Sequence, residues 1–327
     1  MNRNIKDNIM EHNHHFTTQQ FDKFTITDVR ARQGDASFLI DDGTTSILYD
    51  TGFGFTGFQI AKNIQIVLKD RKLDYIFLSH SHYDHALACA NIKRVFPEAI
   101  VVAGSYAANV FTREGALNTM RRLNREHAKH CKVDQCLDLA NELCVDMAVD
   151  EGDIIKTTSS KWEVINVPGH TKCSVVYLEK DSGLLLSSET FGVYKRKANT
   201  DKHGDSVEFE MMPSFLISYQ QTIESIEKVA RRVAAGQIRG IVLPHHGLLD
   251  TNECSVSRLF EMAVADSCRA KDLILGLLRK GACEDDIIKA FAECYGARQL
   301  SELYPEAAMR LNTSIMIKLI EREFADA

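Results

Sequence analysis

The chain opens on short runs rich in β-branched and apolar residues: FTITDVR (24–30), ASFLID (36–41) and TSILYD (45–50). Such runs predict strands, and the Asp42-Gly43 pair between the last two predicts a tight turn, so these runs are expected to form an antiparallel opening sheet. After the loop TGFGF (51–55) a helical period follows, with Ile60, Ile64, Val67 and Leu68 on one face of a predicted helix over 57–71. A strand, DYIFLS (74–79), runs directly into HSHYDH (80–85) and is followed by a helical stretch (87–96) and a strand, AIVVAG (99–104). Residues 113–144 are polar and helical in pattern and read as a helical insertion. Strand signals resume in DIIKT (153–157), KWEVINV (161–167), SVVYLEK (174–180) and LLLSS (184–188), the last two joined by a turn at Asp181-Ser182-Gly183. Ser214 is placed to cap a helix that ends at Gly236, with Ile223, Ile226, Ala230 and Val233 inward. The run RGIVLP (239–244) then delivers His245-His246-Gly247. Beyond it, 255–324 is helical in pattern, including a helix opened by Glu284, Asp285 and Asp286 and a last one bearing Leu311, Ile315, Leu319 and Ile320. Two strand-rich halves that each carry helices predict an α/β sandwich layered helix, sheet, sheet, helix, without solenoid repeats.

Composition narrows what such a fold can do. At 327 residues, 45% hydrophobic and 26% charged, the chain has apolar material for a large core. A formal net charge of -6 argues against general nucleic-acid binding, which needs a concentrated basic surface, and Arg121, Arg122 and Arg125 read as a solvated helix face. The 9 cysteines are odd in number and never spaced CxxC, which suits a reducing compartment. The start of the chain has no apolar leader core, and no run of about 18 apolar residues occurs, so a cytoplasmic location without membrane spanning is expected. His12, His14 and His15 cluster near the start, within a segment (1–20) expected to be loosely ordered.

The chemistry concentrates in HSHYDH, where three imidazoles and a carboxylate fall within six residues at the end of a strand. Imidazole nitrogens and carboxylate oxygens are the ligands of catalytic zinc or iron. In an extended loop His80 and His82 can point the same way while Asp84 and His85 lie around the bend, so one segment can serve two adjacent ions, an arrangement suited to binuclear chemistry rather than a structural zinc.

HSHYDH, PGHTKCS (168–174), LLLSSETFG (184–192) and LPHHGLL (243–249) occur in order, each at a strand end, and in this the chain resembles the metallo-β-lactamase-fold superfamily. The resemblance implies an αββα metallo-β-lactamase sandwich over 21–250, with the helical insertion at 113–144 and a helical C-terminal appendix at 251–327. It implies that His80, His82 and His170 hold one metal and that Asp84, His85 and His246 hold the other, with His246 preferred over His245 because it directly precedes Gly247. Glu189 stands where the family carries a bridging Asp, and its extra methylene displaces the oxygens. Two divalent transition-metal ions are implied, zinc or iron ahead of manganese, generating a metal-bound hydroxide for hydrolysis with Asp84 orienting it or accepting its proton.

Several features narrow the branch. His82 stands where oxygen-reducing diiron relatives usually carry Glu, no Cys takes a ligand place in the later motifs, and no basic Gly-rich arm like that of transfer-RNA-processing relatives is present. The insertion with RRLNRE (121–126) and the helical appendix resemble the bacterial quinolone-response thioesterase branch; glyoxalase-II-type thioesterases also end in helices. The leading expectation is an ester or thioester hydrolase acting on a small molecule. The alternatives are a phosphodiesterase, with Lys172, Lys195 and Arg196 as phosphate contacts, and a metal-containing ligand-sensing or partner-binding protein. Tyr83 and Tyr194 are candidate substrate contacts, and Cys173 is read as structural. The appendix and insertion are expected to pack over or beside the metal mouth, or else to cover a sheet edge or form a homodimer contact.

Overall fold

The computed structural model describes residues 16–133, 137–197, 208–252, 254–295 and 306–324. His12, His14 and His15 lie outside the described residues, and the side chains of 195–197 and 208–210, with Lys195 and Arg196 among them, are outside the described set as well.

The strands β1 (Thr18–Phe21), β2 (Phe24–Asp28), β3 (Phe38–Asp41) and β4 (Ser46–Tyr49) form an antiparallel meander. After α1 (Gly57–Leu68), β5 (Tyr75–Leu78) joins β4 in parallel. The short helices α2 (Tyr83–Ala86) and α3 (Cys89–Val95) lead to β6 (Ile100–Gly104), which is parallel to β5. Next come α4 (Ser105–Phe111), α5 (Glu114–His130) and β7 (Met147–Val149), which completes a seven-stranded sheet in sequence order. The second sheet holds β8 (Ile154–Lys156), β9 (Lys161–Asn166), β10 (Val175–Glu179), β11 (Leu184–Leu186), β14 (Gly240–Leu243) and β15 (Gly247–Leu248), ordered β15-β14-β11-β10-β9-β8. Between β11 and β14 lie the hairpin of β12 (Val193–Lys197) with β13 (Glu208–Met212) and the helix α6 (Tyr219–Ala234). The chain continues through α7 (Val256–Arg279), α8 (Glu284–Tyr295) and α9 (Glu306–Glu323).

Alternation along the strands builds the layers. In β5, Phe77 faces the core between the sheets while Ile76 and Leu78 pack under α1, α3 and α5. In β10, Val175 and Tyr177 face that same central core while Val176 and Leu178 pack under α6 and α7. Successive side chains on opposite faces of both sheets give four layers, αββα, with Trp162, Tyr49, Tyr177 and Phe77 at the centre.

Local features depart from expectation. Residues 18–21 form the edge strand β1, paired to β2 through Phe21↔Phe24, where a loose segment was expected. Within the insertion the α-helix is α5, and after it comes an unexpected strand, β7, whose Val149 reaches the central core. The helix expected to start at Ser214 starts at α6, capped by Ser218, whose hydroxyl accepts from Gln221 N at 3.2 Å. In the appendix, α7, α8 and α9 form an apolar cluster with Val193, Met212, Phe215 and Tyr219, and α7 also packs on α6. Among the described residues no helix is long and apolar enough to cross a membrane.

Candidate metal centre

The site lies at the carboxyl ends of strands, where loops are freed from sheet hydrogen bonding and side chains converge. Asp50 follows β4, His80 follows β5, His170 follows β9, Glu189 follows β11 and His245 follows β14. Two groups of ligand atoms result: His80, His82, His170 and Glu189 in one, and Asp84, His85 and His245 in the other, with the atoms of each group within 4.8 Å of one another.

Glu189 stands between the groups. Its Oε2 lies 3.0 Å from His170 Nε2 and 3.8 Å from His80 Nε2; its Oε1 lies 3.0 Å from His245 Nε2 and 3.8 Å from His85 Nε2. Asp84 Oδ2 lies 3.6 Å from His85 Nε2 and 3.7 Å from His245 Nε2. Each carboxylate oxygen of Glu189 thus faces one histidine set.

A second ring of contacts fixes which imidazole nitrogen faces inward. Asp50, fully buried, accepts from Ser79 N (2.7 Å) and Ser79 Oγ (2.8 Å), and its Oδ2 accepts from His85 Nδ1 at 2.8 Å. His80 Nδ1 pairs with Ser79 Oγ at 2.9 Å, His170 Nδ1 with Ser214 O at 2.8 Å, and His245 Nδ1 with Asp35 O at 3.2 Å. These partners leave Nε2 of each ring to the site. His82 is turned the other way, its Nδ1 facing His170 Nε2 at 2.9 Å.

The donor set fits metal ions. His80 Nε2 and His85 Nε2 are buried without a hydrogen-bond partner, a costly state for protein polar atoms that a cation relieves. Burial, with the neighbouring imidazoles of His85, His82 and His170, holds His80 well below the ordinary imidazole range; burial and then His170 hold His82 at about 3. Both rings are therefore neutral and available as ligands. Burial opposes the charge on His85, but the carboxylates of Asp84 and Asp50 outweigh it and hold that imidazole protonated well above its usual range. Burial raises Asp84. Burial also acts to raise Glu189, yet hydrogen bonds from His170 and His245, with the His85 ring 3.8 Å away, hold its carboxylate well below the usual range.

Two expected residues are corrected. His245, not His246, completes the second group. β14 and β15 pair Leu243 with Gly247, so residues 244–246 form a three-residue hairpin loop, and His245 at its centre takes the left-handed conformation (φ 63). That turn carries the His245 ring to Glu189, while Arg30 Nη1 donates to His245 O at 2.5 Å and braces the strained backbone. Adjacency to Gly247 pointed to the neighbour because it gave no weight to the turn. Tyr194 does not reach the site: it is buried in the layer under α6 and α7, and its hydroxyl donates to Leu259 O at 2.8 Å. Tyr83 does flank the metal loop, its hydroxyl 3.0 Å from His127 Nδ1 on α5 and its ring 5.6 Å from Phe53. Lys172 is exposed. Cys173 is buried, with its thiol on Ser81 Oγ at 3.2 Å.

Sequence reasoning missed Asp50, Asp35, Ser79, Ser214 and His127. Asp50 carried a usable signal, a carboxylate ending a strand before Thr51-Gly52; Asp35 carried none, being one acid in a polar turn.

With this geometry in place, comparison defines the class. Residues 31–246 match the metallo-beta-lactamase superfamily, and the chain belongs to that superfamily of metal-dependent hydrolases. Among characterised relatives, the hydroxyacylglutathione hydrolase GloC of Haemophilus influenzae is 22% identical over 165 residues, half of this chain and 69% of that protein. A metallo-beta-lactamase family protein of Thermus thermophilus superposes with a TM-score of 0.56 at 14% identity, covering 94% of this chain and 93% of that one. A HARLDQ-motif mutant of the metallo-beta-lactamase of Cronobacter sakazakii superposes with a TM-score of 0.51 at 19% identity, covering 80% and 97%. These likenesses are likenesses of fold.

Proposed function

We propose that this chain is a binuclear metal-dependent hydrolase of small-molecule esters or thioesters, thioesters first. The observation that carries the two-metal part is the position of Glu189, one oxygen toward each histidine group. His80, His82 and His170 with Glu189 would hold one divalent ion, zinc or iron ahead of manganese, and Asp84, His85 and His245 with Glu189 the other. When bound, such ions acidify water and polarise the carbonyl oxygen under attack.

The chain's own groups define the rest. Asp84, raised by burial, is the carboxylate suited to take up a proton at the reacting centre. Asp50 holds His85 in the tautomer that presents Nε2. Tyr83 and His127 flank the metal loop, backed by the fully buried Phe53 ring. The thioester preference is supported by the relative named as a hydroxyacylglutathione hydrolase. We place the protein in the cytoplasm, acting on a diffusible substrate.

Purified protein loaded with zinc, iron(II) or manganese is assayed on a panel of acyl thioesters, aryl esters and bis(4-nitrophenyl) phosphate. Metal-dependent thioester turnover exceeding phosphodiester turnover supports this reading; the reverse order replaces it with a phosphodiesterase. Absence of turnover on every substrate favours a binding protein.

A further inference from the structure

Arg32 belongs to the loop between β2 and β3 and is half-buried, with its guanidinium over the Phe55 ring at 5.6 Å. Among the described residues that guanidinium has no hydrogen bond and no ion pair. Other arginines in comparable surroundings do: Arg30 binds Asp28 and His245 O, Arg121 binds Glu114 and Asp138, and Arg232 binds Glu163. A guanidinium that gives up part of its hydration without a carboxylate is unfavourable unless a ligand supplies the anion.

The acid nearest in sequence cannot serve. Asp35 Oδ2 accepts from the backbone N–H of Ala31 and Arg32 at 3.2 and 3.1 Å, and Oδ1 accepts from Phe53 N (3.0 Å) and Thr56 Oγ1 (2.7 Å). The same residue ties Arg32 to the metal centre, because Asp35 O accepts from His245 Nδ1. Phe55 stacks on Phe53 at 5.0 Å, and Phe53 in turn meets His127 at 4.2 Å and Tyr83 at 5.6 Å. A chain of ring contacts therefore runs from the metal loop at Tyr83 to Arg32, with Tyr83 and Phe55 half-buried and Phe53 fully buried behind them. Burial, then the charges of His130 and Arg32, hold His127 at about 4, so this line of contacts is neutral except for Arg32.

We propose that Arg32 is a specificity-determining residue that binds a carboxylate at the far end of the substrate, whose apolar middle lies along the half-buried rings of Tyr83 and Phe55. The planar fork of donors matches a carboxylate in two parallel hydrogen bonds, which a lysine reproduces in charge but not in shape. This inference rests on the hydrolase reading for the scissile bond, and its test separates the two.

The probes are ω-(phenylthio)alkanoic acids with three to eight carbons in the acid chain, non-hydrolysable thioether analogues, beside their carboxamides. Binding to the metal-loaded wild type, Arg32→Gln and Arg32→Lys is measured by calorimetry. Because metal ions also attract carboxylates, the readout is the acid-over-amide preference and its change in the variants. At the best chain length Arg32→Gln should lower that preference by about 10- to 100-fold, with Arg32→Lys recovering part of it, while amide affinity and Tm stay unchanged. With the matching carboxyl thioesters, Arg32→Gln should raise KM by a similar factor and leave kcat within about threefold. No Arg32-dependent preference at any chain length overturns the proposal even if thioesters are hydrolysed. Arg32-dependent acid binding without thioester hydrolysis overturns the hydrolase reading and leaves the carboxylate site standing.

Discussion

Asp50 offers a direct test of how the fold sets the chemistry. It is fully buried, takes a left-handed backbone conformation (φ 54), and accepts three hydrogen bonds, two from Ser79 and one from His85 Nδ1. Asp50→Ala strands the Ser79 N–H, the Ser79 hydroxyl and the His85 N–H together. Breaking a buried charged pair costs about 3–5 kcal/mol, so the metal-free protein should lose that much unfolding free energy. Asp50→Asn separates the fold from the metal. Asparagine tolerates the left-handed conformation, and its carbonyl still accepts from Ser79 N. Its amide, however, would donate to His85 Nδ1, which moves the ring proton to Nε2, the atom facing Glu189. Loss of such an orienting partner costs about 10- to 100-fold in metal affinity, or about 1.4–2.7 kcal/mol at 1.36 kcal/mol per decade. Urea unfolding of the metal-free variants gives the first quantity. Competition titration with cobalt(II), followed by its visible absorbance, gives the second and resolves two binding steps. In Asp50→Asn one step should weaken and the other should hold. Two wild-type steps in that variant would refute the claim that Asp50 sets the His85 tautomer.

His245→Ala should remove one of two bound ions, while His246→Ala keeps both; the opposite pattern in metal analysis of the purified variants would restore His246 as the ligand. Gly169 has φ 140, and a Cβ there would lie 2.3 Å from Thr222 Oγ1 and 2.6 Å from Thr222 Cα, so Gly169→Ala must push the His170 loop off α6. Backbone strain and overpacking together should cost about 2–4 kcal/mol in denaturant unfolding, and an unchanged midpoint would contradict the packing described. The raised His85 sets a pH dependence: its proton must leave when a metal binds, so affinity should climb with pH until the raised value is passed, with proton release measurable by calorimetry in buffers of different ionisation enthalpy. In the metal-free protein that protonated ring stabilises the fold below the ordinary value and the contribution fades as pH rises through the raised one, so an affinity flat with pH would contradict the assignment.

Much of this was legible in local composition. The β-branched and apolar runs at 45–50 and 174–180 became β4 and β10, and the acidic trio at 284–286 opened α8. HSHYDH announced its chemistry because several ligand types sat at the end of one strand. The helix edges were less legible, since Ser214 and Ser218 are equal as caps in sequence and only the tertiary contact to His170 claims the first. The contest between His245 and His246 was decided by a left-handed turn that adjacent identical residues do not encode. Tyr194 looked available because it lies five residues past Glu189, yet the strand beginning at Val193 turns its ring into the layer under α6 and α7. Asp50 and Asp35 act through partners 35 and 210 residues away, a range that no local pattern reports.

The central claim is that two ions share Glu189. Crystals of the metal-loaded protein, with diffraction recorded on both sides of the zinc or iron absorption edge, measure that directly. Two anomalous peaks are expected about 3.5–4 Å apart on either side of the Glu189 carboxylate, one against His80, His82 and His170 and the other against Asp84, His85 and His245. A single peak, or a second ion held by His246 with Glu189 turned away, would contradict it.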